Sequence, residues 1–404
     1  MSQNKIKVVW ICHFTNEEMQ SLLPVSRHQE EFAPWIPNLL KGFENLDDVE
    51  IHVISPHDYL QKTSEVVLRN IHYYFVPYGI PIFNRHWPNF FRIDVFLNFY
   101  FFRKKIKKIV KNIKPDLINL FGTENSYYSA SALDFKNDYP VLVMIQGFIT
   151  EFKDKPRKSI ELRNRIKVEE EILRTFKYFC GEQDSSSYAS IYNPVHIFFK
   201  IYFPVNEDLV SKTVETEKKY DCIYFGRLEK PKGAEDFIKV ISEIKQRIPD
   251  VKGCVIGSGN LKPFIELSNE LGCHNNIEFV GFVNSQKELF EYVKTSKVFL
   301  APPYKERLSA TIREAMLLQV PIVAYATGGI PYINEFDENI FLVETGNFKE
   351  MASKTILLLE NENLAKNLAN RAYDYGIKVF SLKENTKHLL NAYHIILKQN
   401  NTQT

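Results

Sequence analysis

The 404-residue chain has only five cysteines, Cys12, Cys180, Cys222, Cys254 and Cys273, and no two of them form a C-x-x-C pair. An odd, scattered set supports neither a disulfide framework nor a zinc cluster. Four of the five lie in apolar runs and read as small core residues, which fits a reducing cytoplasm. Long hydrophobic runs are also missing. The first apolar stretch, Val8 to Cys12, suits a buried strand and is far too short to cross a bilayer, and the N-terminus lacks the shape of a signal peptide. Charge of one sign is not in excess: 51 Lys and Arg against 49 Asp and Glu leave a net +2, so the chain as a whole does not read as a nucleic-acid binder. The histidines show no metal-ligand spacing and no short repeat is visible. No G-x-G-x-x-G follows the first strand, which counts against a dinucleotide dehydrogenase.

What is present is a 45% hydrophobic composition, enough to fill two cores in a chain of this length. The pattern alternates. Ile6–Cys12, Val49–Ser55, Ile71–Pro77, Leu117–Phe121 and Val141–Gln146 read as strands; Glu30–Phe43, Asp94–Ile113 and Arg157–Phe176 carry helical spacing. From Ser185 to Lys219 the rhythm breaks around Pro194 and Pro204, which places a domain boundary near Pro204. Alternation then resumes. Strands are expected at Cys222–Phe225, Gly253–Ile256, Ile277–Val280, Val298–Ala301 and Ile322–Tyr325, and helices at Ala234–Arg247, Leu261–Leu271, Leu289–Val293 and Ala310–Leu318. Three helices finish the chain, the last at Leu382–Lys398. The expectation is an α/β fold of two doubly wound, Rossmann-like parallel-sheet domains, 1–204 and 205–404, with the last helix free to pack back on the first. Ligands of such sheets bind beyond the carboxyl ends of the strands, in a cleft the two domains would share.

Three loops at such ends carry chemistry. Gly226-Arg227-Leu228 with Lys232-Gly233 sets two cations before a helix N-terminus, a combination suited to a diphosphate; the bland alternative is two solvated cations beside a turn. Glu306 and Glu314 flank the start of a helix for which Ser309 is a plausible N-cap, so two carboxylates stand ready to grip sugar hydroxyls; otherwise Glu314 only answers the helix dipole. The paired Gly328-Gly329 permits close backbone approach to a ligand, and Gly257-Ser258-Gly259 is a weaker instance of the same kind.

Taken in order these pieces resemble retaining GT-B glycosyltransferases, family four. The matching elements are Gly226-Arg227-Leu228 with Lys232-Gly233, Gly257-Ser258-Gly259, Val280-Gly281-Phe282, Glu306 with Glu314-Ala315-Met316, and Pro321-Ile322-Val323-Ala324 with Gly328-Gly329-Ile330-Pro331. The resemblance covers Tyr220 to Gly376; the first half matches in architecture alone. It implies that Arg227 and Lys232 hold the diphosphate of a nucleotide sugar, UDP- or GDP-linked. It also implies that Glu314 takes the ribose hydroxyls, that Glu306 takes those of the transferred sugar, and that backbone N–H groups around Leu308, Ser309 and Ala310 support phosphate and sugar. Phe282 and Val283 would pack near the base. No metal or other cofactor is expected, since the Arg–Lys pair neutralises the leaving diphosphate. The sequence departs from the family pattern at Arg307, where glycine is usual, at Tyr332 and at Gln146-Gly147, where many members carry histidine. His13-Phe14-Thr15-Asn16-Glu17 replaces the usual glycine-rich first loop.

The acceptor, a glycan or polyprenyl-linked glycan, is expected on the first half, where His13, Glu124 and Gln146 follow strands; Glu124 could contact acceptor hydroxyls or act as a base, and also reads as a solvated or capping residue. Between Trp87 and Lys111 a run of aromatics leads into seven cations from Arg103 to Lys114. Lys104, Lys107, Lys108 and Lys111 share one helical face, an arrangement that suits peripheral contact with an anionic membrane from the cytoplasm, or else an ordinary core helix with a basic outer face. The alternative function is a catalytically weak nucleotide-sugar-binding homologue serving as a partner subunit, motivated by Gln146 and Arg307.

Overall fold

The computed structural model describes residues 5–24, 33–78, 93–214 and 217–401. It divides into two compact units, one formed by the chain up to Pro204 together with the segment from Leu382, the other by Val205–Ser381.

The first unit is built on eight strands: β1 (Ile6–Ile11), β2 (Val49–His57), β3 (Ser64–Leu68), β4 (Ile71–Pro77), β5 (Leu117–Phe121), β6 (Val141–Met144), β7 (Tyr178–Gly181) and β8 (Ile197–Lys200). Their order is β3-β4-β2-β1-β5-β6-β7-β8, and every pairing is parallel except the antiparallel edge pair β3–β4. A central strand covered on both faces must be apolar throughout, and Val8, Val9, Trp10 and Ile11 have no exposed surface. Alternation then sorts them. Val8 and Trp10 face a core completed by Leu389, Ala392, Tyr393 and Ile396 of the helix Leu382–Asn401, while Val9 and Ile11 face Phe102, Ile106 and Val110 of the helix Tyr100–Ile113. The Tyr393 hydroxyl donates to Asn119 Oδ1 at 2.8 Å, which satisfies the one amide buried in β5.

Three expectations shift here. The helix read as Glu30–Phe43 is Trp35–Leu40 followed by a tighter turn over Lys41–Phe43; residues 30–32 lie outside the described residues. Arg157–Phe176 is Ile160–Thr175, started by Ser159, whose side chain accepts from Leu162 N. Asp94–Ile113 is broken: after Ile93–Phe96 the backbone turns left-handed at Asn98 and Phe99 (φ 46° and 56°) before Tyr100–Ile113 begins. That turn buries Phe99 while Phe96 and Tyr100 stay exposed, a division a continuous helix would not produce.

The second unit holds β9 (Tyr220–Phe225), β10 (Gly253–Ile256), β11 (Ile277–Gly281), β12 (Ser296–Ala301), β13 (Ile322–Tyr325) and β14 (Phe341–Val343), all parallel in the order β11-β10-β9-β12-β13-β14. The order runs outward from β9 in both directions, so the point where it reverses lies between β9 and β12. Loops leaving two such strands diverge and open a crevice at their carboxyl ends.

Candidate active site

Both loops at this reversal point carry charge. After β9 the chain runs through Gly226, Arg227 and a short turn over Lys230–Lys232 into the helix Ala234–Lys245. Gly233 makes that entry possible: its φ is +76°, and a side chain there would place Cβ 1.8 Å from the Pro302 carbonyl oxygen. The β9 loop is thereby pressed onto the β12 loop. Tyr304 N donates to Pro231 O at 2.9 Å, and Lys232 Nζ meets Glu306 Oε2 at 2.5 Å, with the two side chains 22% and 16% exposed. The sequence set Lys232 on a diphosphate and Glu306 on a sugar; the fold makes them one ion pair. Arg227 stands apart, its side chain 61% exposed and paired with Glu229 at 3.1 Å.

Glu314 lies in the helix Ala310–Leu317 and accepts from Gln286 Nε2 at 3.2 Å. Burial pushes its carboxyl up to about 7, against the opposing pull of Gln286 and Arg313. Gln286 opens the helix Gln286–Lys294, beyond Gly281-Phe282-Val283. It was not among the sequence candidates, because nothing in its neighbourhood marks it. Phe282 is 67% exposed and Leu308 is buried. Ser309 occupies the N-cap position of its helix without capping it: its hydroxyl meets Thr311 Oγ1 at 2.8 Å instead, which leaves the first-turn N–H groups without that acceptor.

The glycines pack against neighbouring loops. Gly328, at φ +55°, would put a Cβ 1.6 Å from the Glu306 carbonyl oxygen, and Gly329 N donates to Arg307 O at 3.1 Å. Their close approach is to the backbone of the Glu306 loop. Gly257 and Gly259 likewise lie against Gly226 and Leu228, and Leu228 N donates to Ser258 O at 2.8 Å. These turns brace the charged loops from either side.

In the first unit the strand order reverses between β1 and β5, and His13 and Glu124 follow those strands, with Gln146 after the neighbouring β6. His13 Nδ1 forms a short hydrogen bond with the Tyr127 hydroxyl, and burial lowers the imidazole to about 4, so it is neutral at pH 7. Glu124 is pushed up to about 7 by burial, and its Oε2, like Gln146 Nε2, has no hydrogen-bond partner among the described residues. Behind it Glu169 is buried and accepts from Thr123 Oγ1 at 2.6 Å and Thr150 N at 2.7 Å.

The basic helix is less uniform than its sequence. Arg103 is bound by Asp134 through two contacts, 2.8 and 2.5 Å, and Lys105 donates to Pro77 O at 2.9 Å. Lys104, Lys108 and Lys111 are exposed and line an open groove of ≈ 540 Å³ with Phe101, Lys105 and Asn112, whereas Lys107 is half-buried and does not line it. Trp87, Phe90 and Phe91 lie outside the described residues. Among the described residues no helix is long and apolar enough to cross a membrane, and no group of three or more His, Cys, Asp or Glu is placed to hold a metal.

Two parallel-sheet α/β units of this kind make the GT-B fold, and the likenesses agree. Sucrose-phosphate synthase from Thermosynechococcus elongatus superposes with a TM-score of 0.75 over 98% of this chain and all of that one, at 14% identity. Residues 205–375 match the family of glycosyl transferases group 1, and the chain is a glycosyltransferase. An uncharacterized glycosyltransferase of Methanocaldococcus jannaschii is 24% identical over 68% of this chain and 79% of its own length. The N,N'-diacetylbacillosaminyl-diphospho-undecaprenol alpha-1,3-N-acetylgalactosaminyltransferase of Campylobacter jejuni is 22% identical over 85% and 91%. Three other curated relatives match along about half of their own length. The chain is thus an enzyme of glycan or glycoconjugate biosynthesis.

Proposed function

We propose that the enzyme transfers a sugar from a nucleotide-diphosphate sugar, UDP- or GDP-linked, to a glycan or lipid-linked acceptor with retention of configuration and without a metal. The Lys232–Glu306 pair supports this reading most: a cation and a carboxylate 2.5 Å apart at the strand-order reversal match a diphosphate joined to a hydroxyl-rich sugar. On arrival the diphosphate takes Lys232 from Glu306, with Arg227 close in sequence, and the freed carboxylate turns to the sugar hydroxyls. Glu314 and Gln286 receive the ribose. Lys232 and Arg227 then stabilise the charge that develops on the leaving diphosphate, which is the main catalytic demand of the reaction. The acceptor belongs on the first unit beside Glu124, Gln146 and His13.

Membrane contact is the second part of the proposal. Exposed Phe96, Leu97, Tyr100 and Phe101 run directly into exposed Lys104, Lys108 and Lys111, an aromatic and cationic surface suited to an anionic bilayer. The relative from Campylobacter is named for a polyprenyl-diphosphate acceptor, which resides in such a bilayer. The test is a screen of UDP- and GDP-linked hexoses and N-acetylhexosamines for hydrolysis and transfer in EDTA, with the product anomer read by NMR. Turnover with a retained anomer is expected. Activity that needs magnesium, or an inverted product, overturns the mechanism; nucleotide binding without any turnover favours the catalytically weak homologue.

A further inference from the structure

The first turn of the helix Ala234–Lys245 contains a buried carboxylate outside the set of donor residues. Asp236 is 2% exposed, and its oxygens face three donors from different parts of the unit. Oδ1 accepts from Lys239 Nζ at 2.7 Å; Oδ2 accepts from the Tyr304 hydroxyl at 2.6 Å and from the Tyr325 hydroxyl at 2.8 Å. Tyr325 is the last residue of β13 and fully buried, a fixed point. Tyr304 lies on the loop after β12, two residues before Glu306, with its ring edge-on to Tyr325 at 5.8 Å. Asp236 itself is four residues beyond Lys232. One carboxylate thus ties the helix that follows Lys232 to the loop that carries Glu306. The backbone makes a second tie, through Tyr304 N to Pro231 O.

We propose that Asp236, acting through Tyr304, is a positioning residue that sets Lys232 against Glu306 for the donor diphosphate. The proposal rests on the assignment of Lys232 and Glu306 to that donor. The physical case is that a buried anion is kept only where donors answer it, and hydrogen bonds to an ionised group are the strong and directional ones. Here one of those donors, Tyr304, lies on the loop that carries Glu306, and the acceptor lies on the helix that follows Lys232. A carboxylate at 2.6 Å also accounts for the Tyr304 phenol being raised to about 12, with its hydrogen bond to Asp236 as the first cause. Loss of the tie removes the side-chain hydrogen bond between the loop and the helix, while the backbone bond to Pro231 stays. A displacement of about 1 Å at a reacting centre can cost on the order of a hundredfold.

The test is a double-mutant cycle read by calorimetry with UDP and with GDP. Lys232→Ala is made in the parent, in Asp236→Asn and in Tyr304→Phe. The expected result is that Tyr304→Phe and Asp236→Asn each weaken binding about tenfold, and that Lys232→Ala then costs far less in either background than in the parent. A tie that merely supports the fold lowers stability without this coupling to Lys232. Lys232→Ala costing the same in all three backgrounds overturns the proposal while leaving the donor site intact. Lys232→Ala costing nothing in the parent overturns the donor-site reading and this one together. Should Asp236→Asn fail to fold, Tyr304→Phe, which removes one hydroxyl from a half-exposed ring, decides alone.

Discussion

Replacing Lys232 and replacing Glu306 should move nucleotide affinity in opposite directions. The two side chains are each about four-fifths covered and meet at 2.5 Å. Unit charges about 4 Å apart interact by roughly 4 kcal/mol at an effective dielectric near 20. Part of that is returned as desolvation, so a charged hydrogen bond nets about 1.5–3 kcal/mol. Lys232→Ala removes that contact from an incoming diphosphate and leaves a bare carboxylate facing it. UDP or GDP affinity should fall by about 2–3 kcal/mol, roughly two decades. Glu306→Gln removes the competitor for the ammonium and one negative charge. Affinity for the free nucleotide should rise about fivefold, while turnover of the sugar nucleotide falls, because contacts to the transferred sugar strengthen as its bond breaks. Calorimetry supplies the affinities and single-turnover kinetics the rates. If both substitutions weaken nucleotide binding alike, Glu306 is not a competitor for Lys232 and the account of donor entry fails.

Further consequences are equally direct. Glu314 is raised from 4.5 to about 7 in the fold, so its contribution to stability is whole below 4.5 and lost as pH rises through about 7. Melting curves of Glu314→Gln should fall less between pH 5 and pH 8 than those of the parent, and an equal or steeper fall contradicts the assignment. Ionisation over the same window should tighten donor binding through the ribose, an increase that Glu314→Gln abolishes in calorimetry at pH 6 and pH 8. Gly328→Ala should lower the melting temperature and nucleotide affinity together, since its methyl would sit 1.6 Å from Glu306 O at a φ of +55°; a variant indistinguishable from the parent removes the bracing role of that turn. Charge reversal of Lys104, Lys108 and Lys111 should release the enzyme from phosphatidylglycerol vesicles, each lost cation being worth about 1 kcal/mol. Co-sedimentation that survives, or a parent that never sediments, excludes this surface as a membrane contact.

The sequence made the alternation of elements legible wherever strands were long and apolar, as at Leu117–Phe121 and Val298–Ala301. It missed the β3–β4 hairpin because its turn is Arg69-Asn70, both residues at positive φ (49° and 65°), where glycine is the usual signal. The four-residue strands Tyr178–Gly181 and Ile197–Lys200 are too short to show a period. At the site, Lys232, Glu306 and Glu314 could be named from loops and caps, whereas the pairing of the first two, and Gln286 as the partner of the third, could not. The Lys232–Glu306 contact spans 74 positions and the Gln286–Glu314 contact 28, and no local rule reports either. What packs against the glycine turns was not legible either, because a sequence gives the freedom of a glycine and not what approaches it.

The helix Leu382–Asn401 has a consequence for synthesis. It supplies Leu389, Ala392, Tyr393 and Ile396 to the core around Trp10, so the first unit waits for residues made after the whole of Val205–Ser381 has been synthesised. During that interval Val8, Trp10 and their neighbours lack one wall, while the second unit has everything it needs to fold. The order of maturation is therefore inverted relative to the order of translation. A chain lacking this helix presents an open apolar face, the kind of surface on which chaperones and proteases act.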